Sequence, residues 1–351
     1  MPEAYKNILI IKPSSLGDIV LALPALTALR RSFPDAEISW LVRPEFAPLL
    51  QNHPHLTRTI PFDRKFLGKA WFNPVALGSL LSLVRQLHRS RFDAVFDFQG
   101  LFRTASLGWL SGCKKRFGMA NARELAHVFY THRIPQDRDC IHLVDYYLKM
   151  VTTAGASNVD AEFVLPQDPA AVDSVKKLLA NYRVPLDSYA VFVPGSTRHH
   201  KCWPLERFAA LAQKMSPAFN LSIVATGTAS EQGLIDNLKA LAAVPIVNLA
   251  GKTSLSELAA LLKSARLVVT NDTGPGHIAA ALGEPLVMMF GNVNPARLAP
   301  YKRPDCVVAV GPWDRPFEIR TPDPKYDINN ITIEDVYKKV CEQMKRGSAG
   351  R

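Results

Sequence analysis

Residues 268–291, VVTNDTGPGHIAAALGEPLVMMFG, set two apolar strand-like runs on either side of a loop of Asn, Asp, Thr, Gly, Pro, Gly and His that opens a helix. The β-branched run ending at Thr270 has the character of a buried strand, and Asn271, Asp272 and Thr273 are residue types that cap helix N-termini. Gly274 and Gly276 let a ligand come close to the backbone. The first turn of a helix adds unpaired N–H groups and a partial positive charge, so the loop is a candidate phosphate site.

Working outward, short strands alternate with helical segments along the whole chain. NILIIK, EISWLV and DAVFDF carry strand character in the first half, and YAVFVP, LSIVAT, PIVNLA and LVVTND in the second. Helical periodicity runs over 19–32, 74–89 and 142–154, then over 204–215, 231–242 and 256–264. Such alternation predicts α/β architecture, with parallel sheets covered by helices on both faces. FVLPQDP, residues 163–169, ends the apolar pattern with two prolines and is the best linker. Two Rossmann-like domains follow, 1–166 and 167–330, with a last helix over 331–346 that packs back on the first domain and a disordered tail at 347–351. Ligands of doubly wound sheets bind at the carboxyl ends of the strands, so the loops after strands are where chemistry is sought.

The chain has 351 residues, 48% of them hydrophobic and 21% charged, enough for two domains of ordinary size. Its apolar runs, such as 19–29 and 244–250, fall short of the roughly 18 residues of a membrane span. The start, MPEAYKNILI, has no signal-peptide pattern, and a cytoplasmic protein is expected. Five widely spaced cysteines without a Cys-x-x-Cys pair argue against a disulfide framework and a zinc site. The net charge of +11 is uneven: residues 58–133 hold 13 Lys and Arg against four acidic residues, a net of +9. Such a field implies an anionic partner, although a solvated basic face accounts for the charge equally well.

Three loops carry candidate chemistry. KPSSLGD, residues 12–18, follows a strand and lacks both the dinucleotide fingerprint and the triphosphate loop. It sets Asp18 at a helix N-terminus, where a carboxylate caps the helix or takes a proton from a substrate hydroxyl. FVPGSTRHHKCWP, residues 192–204, offers Ser196 and Thr197 as donors and Lys201 as a cation beside a helix start, which suits a diphosphate. His199 and His200 have the character of loop histidines near solvent. In the opening stretch, Thr273, Gly274 and His277 form another wall of an anion pocket, and Glu231, which opens a helix, caps it or takes a ribose diol. Within the basic segment, Arg64, Lys65, Gln99 and Arg123 are acceptor-side candidates. Phe66, Trp71 and Phe102 there fall in apolar patterns and are expected to pack. A basic nucleic-acid-binding protein, the rival from another class, would need aromatics interleaved with Lys and Arg along a groove.

In this order, ILIIKPSSLGD with LPAL, FDAVFDFQGLFRTA, NARELA, YAVFVPGSTRHHKCWP and NDTGPGHIAAALGEP with FG resemble the heptosyltransferases of glycosyltransferase family 9 over nearly the whole chain. The resemblance implies a GT-B fold of two facing Rossmann-like domains, the first for the acceptor and the second for the nucleotide sugar. It implies inverting transfer with no metal or other cofactor, from ADP-L-glycero-D-manno-heptose to an acceptor carrying 3-deoxy-D-manno-octulosonic acid (Kdo) on lipid A. KPSS, DRK…KAWF and NARE are more like heptosyltransferase I than heptosyltransferase II; a later core sugar is the alternative. By the same resemblance Asp18 matches the catalytic base. Ser196, Thr197 and Lys201 match donor phosphate contacts, as do Thr273, Gly274 and His277. Asp272 matches the carboxylate holding the heptose, and Glu231 the ribose contact. Ser15, Gly17, Arg64, Lys65, Gln99 and Arg123 fall on the acceptor side. The expected protein is a monomer without nucleic-acid partners, in peripheral contact with the anionic cytoplasmic face of the inner membrane and not inserted in it.

Overall fold

The computed structural model describes residues 5–137, 140–157 and 159–349, with the side chains of 347–349 left aside. The chain divides between Pro166 and Gln167 into two compact units. The first is built on six strands: β1 (Asn7–Ile11), β2 (Glu37–Val42), β3 (Arg58–Pro61), β4 (Ala94–Asp97), β5 (Arg116–Met119) and β6 (His132–Ile134). The second is built on β7 (Tyr189–Val193), β8 (Ser222–Ala225), β9 (Ile246–Asn248), β10 (Leu267–Asn271), β11 (Leu286–Met289) and β12 (Val307–Val308).

Both sheets have one topology. Their orders are β3-β2-β1-β4-β5-β6 and β12-β11-β10-β7-β8-β9, and the second, taken from its β9 edge, is the first repeated. Neighbouring strands are parallel throughout, with Ile8 against Ile38 and Ala94 in the first sheet and Val268 against Leu286 and Val191 in the second. Central strands such as β7 and β10 are buried at every residue, because helices cover both faces and leave no side for polar alternation. In each unit the order reverses beside the first strand, between β1 and β4 and between β7 and β10. The loops after those strands stand at topological switch points, where doubly wound sheets bind ligands.

Three expectations are corrected. The helix expected over 19–32 is two helices, Leu16–Leu21 and Leu23–Ser32, joined at Ala22. Pro24, which has no N–H to continue the ladder, sits in the first turn of the second, where that lack costs nothing. The last helix, Ile333–Ala349, places its apolar face in the second unit's core. Val336, Val340 and Met344 enter the second unit's core with Val287 and Met289, and Gln343 donates to the Asp305 carbonyl at 3.1 Å. That helix also runs through Gly347 to Ala349, over most of the expected disordered tail; Gly350 and Arg351 lie outside the described residues.

Candidate functional site

In the first unit the chemistry gathers on the loops after β1 and β4. Ser15 caps helix Leu16–Leu21, and Asp18, its third residue, accepts from Ser15 N at 3.1 Å and Ser15 Oγ at 2.9 Å, a capping box. Asp18 therefore is the capping residue that the local pattern allows, and its side chain remains 32% exposed. Beneath it lies Lys12, buried, whose Nζ is 3.7 Å from Asp18 Oδ2 and donates to the Phe98 carbonyl at 3.2 Å. Burial pushes the Lys12 ammonium below its usual range, opposed by the charges of Asp18 and Asp97.

Asp97, at the end of β4, is buried, and burial pushes its carboxyl up. Four donors hold it in place: Tyr130 Oη at 2.7 Å, Thr104 Oγ1 at 2.9 Å, Gln99 N at 2.9 Å and Gly100 N at 3.2 Å. The two loops are joined where Gln99 Oε1 accepts from Ser14 N at 3.4 Å, and Arg123 N, on the loop after β5, donates to Gly100 O at 3.1 Å. Arg123 is exposed, and its charge works against that of Lys12.

In the second unit the loops after β7 and β10 are tied directly. Asn271 Oδ1 accepts from Trp203 N at 3.0 Å, and Asn271 Nδ2 donates to Pro194 O at 2.8 Å. Lys201 forms an ion pair with Asp272 Oδ2, the two side chains being 16% and 6% exposed. The other carboxylate oxygen faces His277 Nε2 at 3.4 Å. Burial would push the Asp272 carboxyl up; the His277 hydrogen bond and the Lys201 charge more than offset this and hold it below the usual carboxylate range. His277 Nδ1 is buried with no hydrogen-bond partner among the described residues.

Thr273 caps helix Gly274–Ala281, and its Oγ1 is 2.9 Å from Thr270 Oγ1. Gly276 serves packing, not ligand approach: a Cβ there would meet Thr270 Cγ2 at 2.7 Å and Met288 Cε at 3.1 Å. Glu231 Oε2 accepts from Thr228 N at 2.7 Å and Thr228 Oγ1 at 2.8 Å. Its other oxygen lies where a Cβ on Gly195 would stand, so glycine there lets Glu231 reach the loop that bears Ser196. Ser196 is half-buried; Thr197, His199 and His200 are exposed.

The structure thus brings Ser15, Asp18, Gln99 and Arg123 to one switch point, with Gly17 buried in the first turn of the Asp18 helix. It gathers Ser196, Lys201, Glu231, Asp272, Thr273, Gly274 and His277 around the other. Arg64 and Lys65 are exposed at the start of helix Arg64–Leu67, after β3, and no hydrogen bond or ion pair among the described residues joins them to Asp18. The expected packing of Trp71 fails, since it is 91% exposed, while Phe102, 51% exposed, packs edge to face on Phe129 at 5.2 Å. Lys12, Asp97 and Asn271 were not singled out as site residues. All three sit inside the motifs KPSSLGD, FDAVFDFQGLFRTA and NDTGPGHIAAALGEP, and a charged or amide side chain directly at a strand's carboxyl end is the signal that marks them.

Among the described residues no group of three His, Cys, Asp or Glu could hold a metal ion. One Asp-x-Asp triplet occurs in the sequence, Asp137 to Asp139. Asp137 is paired with Lys149; Arg138 and Asp139 lie outside the described residues.

A sequence profile of glycosyltransferase family 9 (heptosyltransferase) matches residues 80–324, from the helix before β4 to beyond β12. The chain belongs to glycosyltransferase family 9. This family 9 transferase is 28% identical to the lipopolysaccharide core heptosyltransferase OpsX of Haemophilus influenzae, over 98% of this chain and 97% of that protein. It is 31% identical to lipopolysaccharide heptosyltransferase 1 of Pseudomonas aeruginosa, over 85% and 82%. The solved structure of Escherichia coli heptosyltransferase WaaC with ADP-2-deoxy-2-fluoro heptose is similar at TM-score 0.72 and 26% identity, covering 96% of this chain and 99% of that one. The protein is a glycosyltransferase, and its pair of six-stranded parallel sheets is the GT-B fold.

Proposed function

We propose that this transferase moves L-glycero-D-manno-heptose from ADP-heptose to the Kdo region of lipid A, the heptosyltransferase I reaction of lipopolysaccharide inner-core assembly. The observation that carries the reading is the tie between the β7 and β10 loops. It fixes a cation, Lys201, against Asp272 in the loop that opens helix Gly274–Ala281, and Lys201 stands on the same loop as Ser196 and Thr197. Helix N-termini and a fixed ammonium are what a diphosphate requires. The relatives are named for lipopolysaccharide heptosyl transfer, and the Escherichia coli neighbour carries an ADP-heptose analogue.

In this reading Asp18 accepts the proton of the acceptor hydroxyl as its oxygen attacks the anomeric carbon. The bond from that carbon to the diphosphate breaks in the same displacement, and the electron pair leaves on ADP. Lys201 and the backbone N–H groups of Thr273 and Gly274 stabilise the negative charge that grows there, with no metal needed. Asp272 and Glu231 orient heptose and ribose, while Gln99, Arg123, Arg64 and Lys65 meet the anionic acceptor. The net +9 of residues 58–133 suits an acceptor presented at the anionic cytoplasmic face of the inner membrane, met by peripheral contact. No helix among the described residues is long and apolar enough to cross a membrane.

A transfer assay with ADP-heptose on Kdo-lipid A, with UDP- and GDP-sugars as competitors, tests this. Asp18→Ala should lose roughly 10²–10⁴-fold in kcat with donor affinity unchanged, since a base acts in the transition state. Equal turnover by parent and variant removes Asp18 from the mechanism, and transfer from UDP-sugars in preference to ADP-heptose removes the donor assignment.

A further inference from the structure

The proposed reaction makes no use of the segment that follows helix Arg64–Leu67. Adjacent aromatics there, Trp71 and Phe72, are 91% and 92% exposed. They are not on a loose strand of chain: Lys69 N, Ala70 N, Phe72 N and Asn73 N all donate to backbone carbonyls between Phe66 and Lys69, closing successive turns that hold the tip. Asn73 then caps helix Pro74–Arg89, with Oδ1 accepting from Val75 N at 2.9 Å and Ala76 N at 3.1 Å.

That helix is apolar on two sides. Ala76, Leu83 and Leu87 are buried, the two leucines in the first unit's core. The opposite side of its first two turns carries Pro74, Leu77, Gly78 and Leu81, at i, i+3, i+4 and i+7, and Leu77 and Leu81 are 44% and 46% exposed. Arg85 and Arg89 continue the same side. Ahead of the tip stand Arg64, Lys65 and Lys69, all exposed, and no ion pair among the described residues involves any of these five cations. A water-facing surface with this much contiguous apolar area and unspent positive charge marks an interaction site.

We propose that residues 69–89 seat the protein on an anionic phospholipid bilayer. Trp71 and Phe72 enter the headgroup level, Leu77 and Leu81 lie against it, and Lys69, Arg85 and Arg89 face lipid phosphates, while Arg64 and Lys65 stay with the acceptor. Charge complementarity selects this occupant: Trp is at home at a membrane–water boundary, where one side of the ring is wet, and basic residues beside it add attraction to anionic lipid. Where the sequence alone pointed to contact without insertion, the exposed aromatic tip specifies shallow entry. The inference gives a physical means to the membrane contact in the proposed function, but its test needs no acceptor and no donor.

The full chain is sedimented with sucrose-loaded vesicles of phosphatidylglycerol and phosphatidylethanolamine, or of phosphatidylcholine, at low and high salt. The parent should partition at least tenfold more strongly onto the anionic vesicles, and Trp71→Ala/Phe72→Ala should lose at least tenfold of that partition. Its melting temperature and ADP-heptose affinity should stay unchanged, since the two side chains touch almost nothing. Lipids brominated near the top of the acyl chain should quench the parent more than Trp71→Phe, the difference being the signal of Trp71. Equal partition of parent and double variant, or equal quenching of parent and Trp71→Phe, overturns the proposal. So does a double variant that loses binding to a generic single-stranded RNA while its vesicle partition is intact. Failure of the parent to bind ADP-heptose, with vesicle partition as stated, would count against the donor assignment alone.

Discussion

Lys201→Met isolates the buried ion pair of the second unit, because it keeps the length of the stem and removes the charge. Asp272, 6% exposed in its side chain, is then left as a buried carboxylate with only His277 beside it at 3.4 Å. Breaking a buried pair from one side costs roughly 3–5 kcal/mol, since the remaining charge stays desolvated without its partner. For a unit of this size that is a fall on the order of 10 °C in melting temperature. Adding Asp272→Asn removes the orphaned charge, so the double variant should recover about half of the loss or more, and the cycle should give a coupling of about 2 kcal/mol.

The pH dependence has a definite sign. The Asp272 carboxyl is held below its ordinary value of 3.8, so its contribution is fully present above that value and is lost as pH falls through the lower folded one. In Lys201→Met that depression is relieved while burial still favours the neutral acid. The variant's deficit is therefore largest near neutrality and shrinks toward pH 3–4. Thermal melts of parent, both single variants and the double variant across this range measure it. A Lys201→Met protein as stable as the parent at pH 7, a double variant no better than the single, or a deficit that does not narrow in acid would refute the reasoning.

Lys12→Met takes away the cation 3.7 Å from Asp18, so kcat should fall by about tenfold or more with donor affinity unchanged; an unchanged kcat separates Lys12 from the acceptor-side chemistry. Gly195→Ala drives a Cβ into the Glu231 carboxylate and out of its capping box with Thr228. Donor affinity by calorimetry should weaken about tenfold with about 1 kcal/mol of stability lost, and unchanged affinity would detach Glu231 from the donor. Tyr130→Phe removes the donor at 2.7 Å from buried Asp97. Urea unfolding should show a loss of roughly 1–3 kcal/mol, and a change below about 0.5 kcal/mol would mean that the remaining donors satisfy Asp97.

Much of the scaffold was legible because its strands are buried on both faces. ILII, YAVFV and LVV are unbroken apolar runs within β1, β7 and β10, and such runs joined through helices mean a parallel sheet. Strands β3, β5 and β6, RTIP, RFGM and HRI, each carry an Arg and half-exposed or exposed positions, and β12 has only two residues, so no apolar run marks them. The site motifs were visible as capping and Gly-rich loops after strands. Their internal wiring was not: Lys201 and Asp272 are 71 positions apart, and Lys12 meets Phe98 across 86. What joins them is that β7 lies beside β10 and β1 beside β4, an order that local periodicity does not encode.

By itself, the sequence determined the α/β class, the loops where chemistry would lie and the family whose motifs they match, because each of these is written in local runs, caps and spacings. Tertiary structure alone decided which groups face one another and which face water. Strand order buried Lys201 against Asp272 and set Lys12 between Asp18 and Asp97. The last helix went to the second unit's core because that core is where Val336, Val340 and Met344 are buried. Trp71, apolar by sequence and expected to pack, stands in solvent with Phe72 because the helix after them turns Ala76, Leu83 and Leu87 inward instead. Burial is a property of where an element is placed, and an amphipathic pattern with two apolar sides does not say which one is covered.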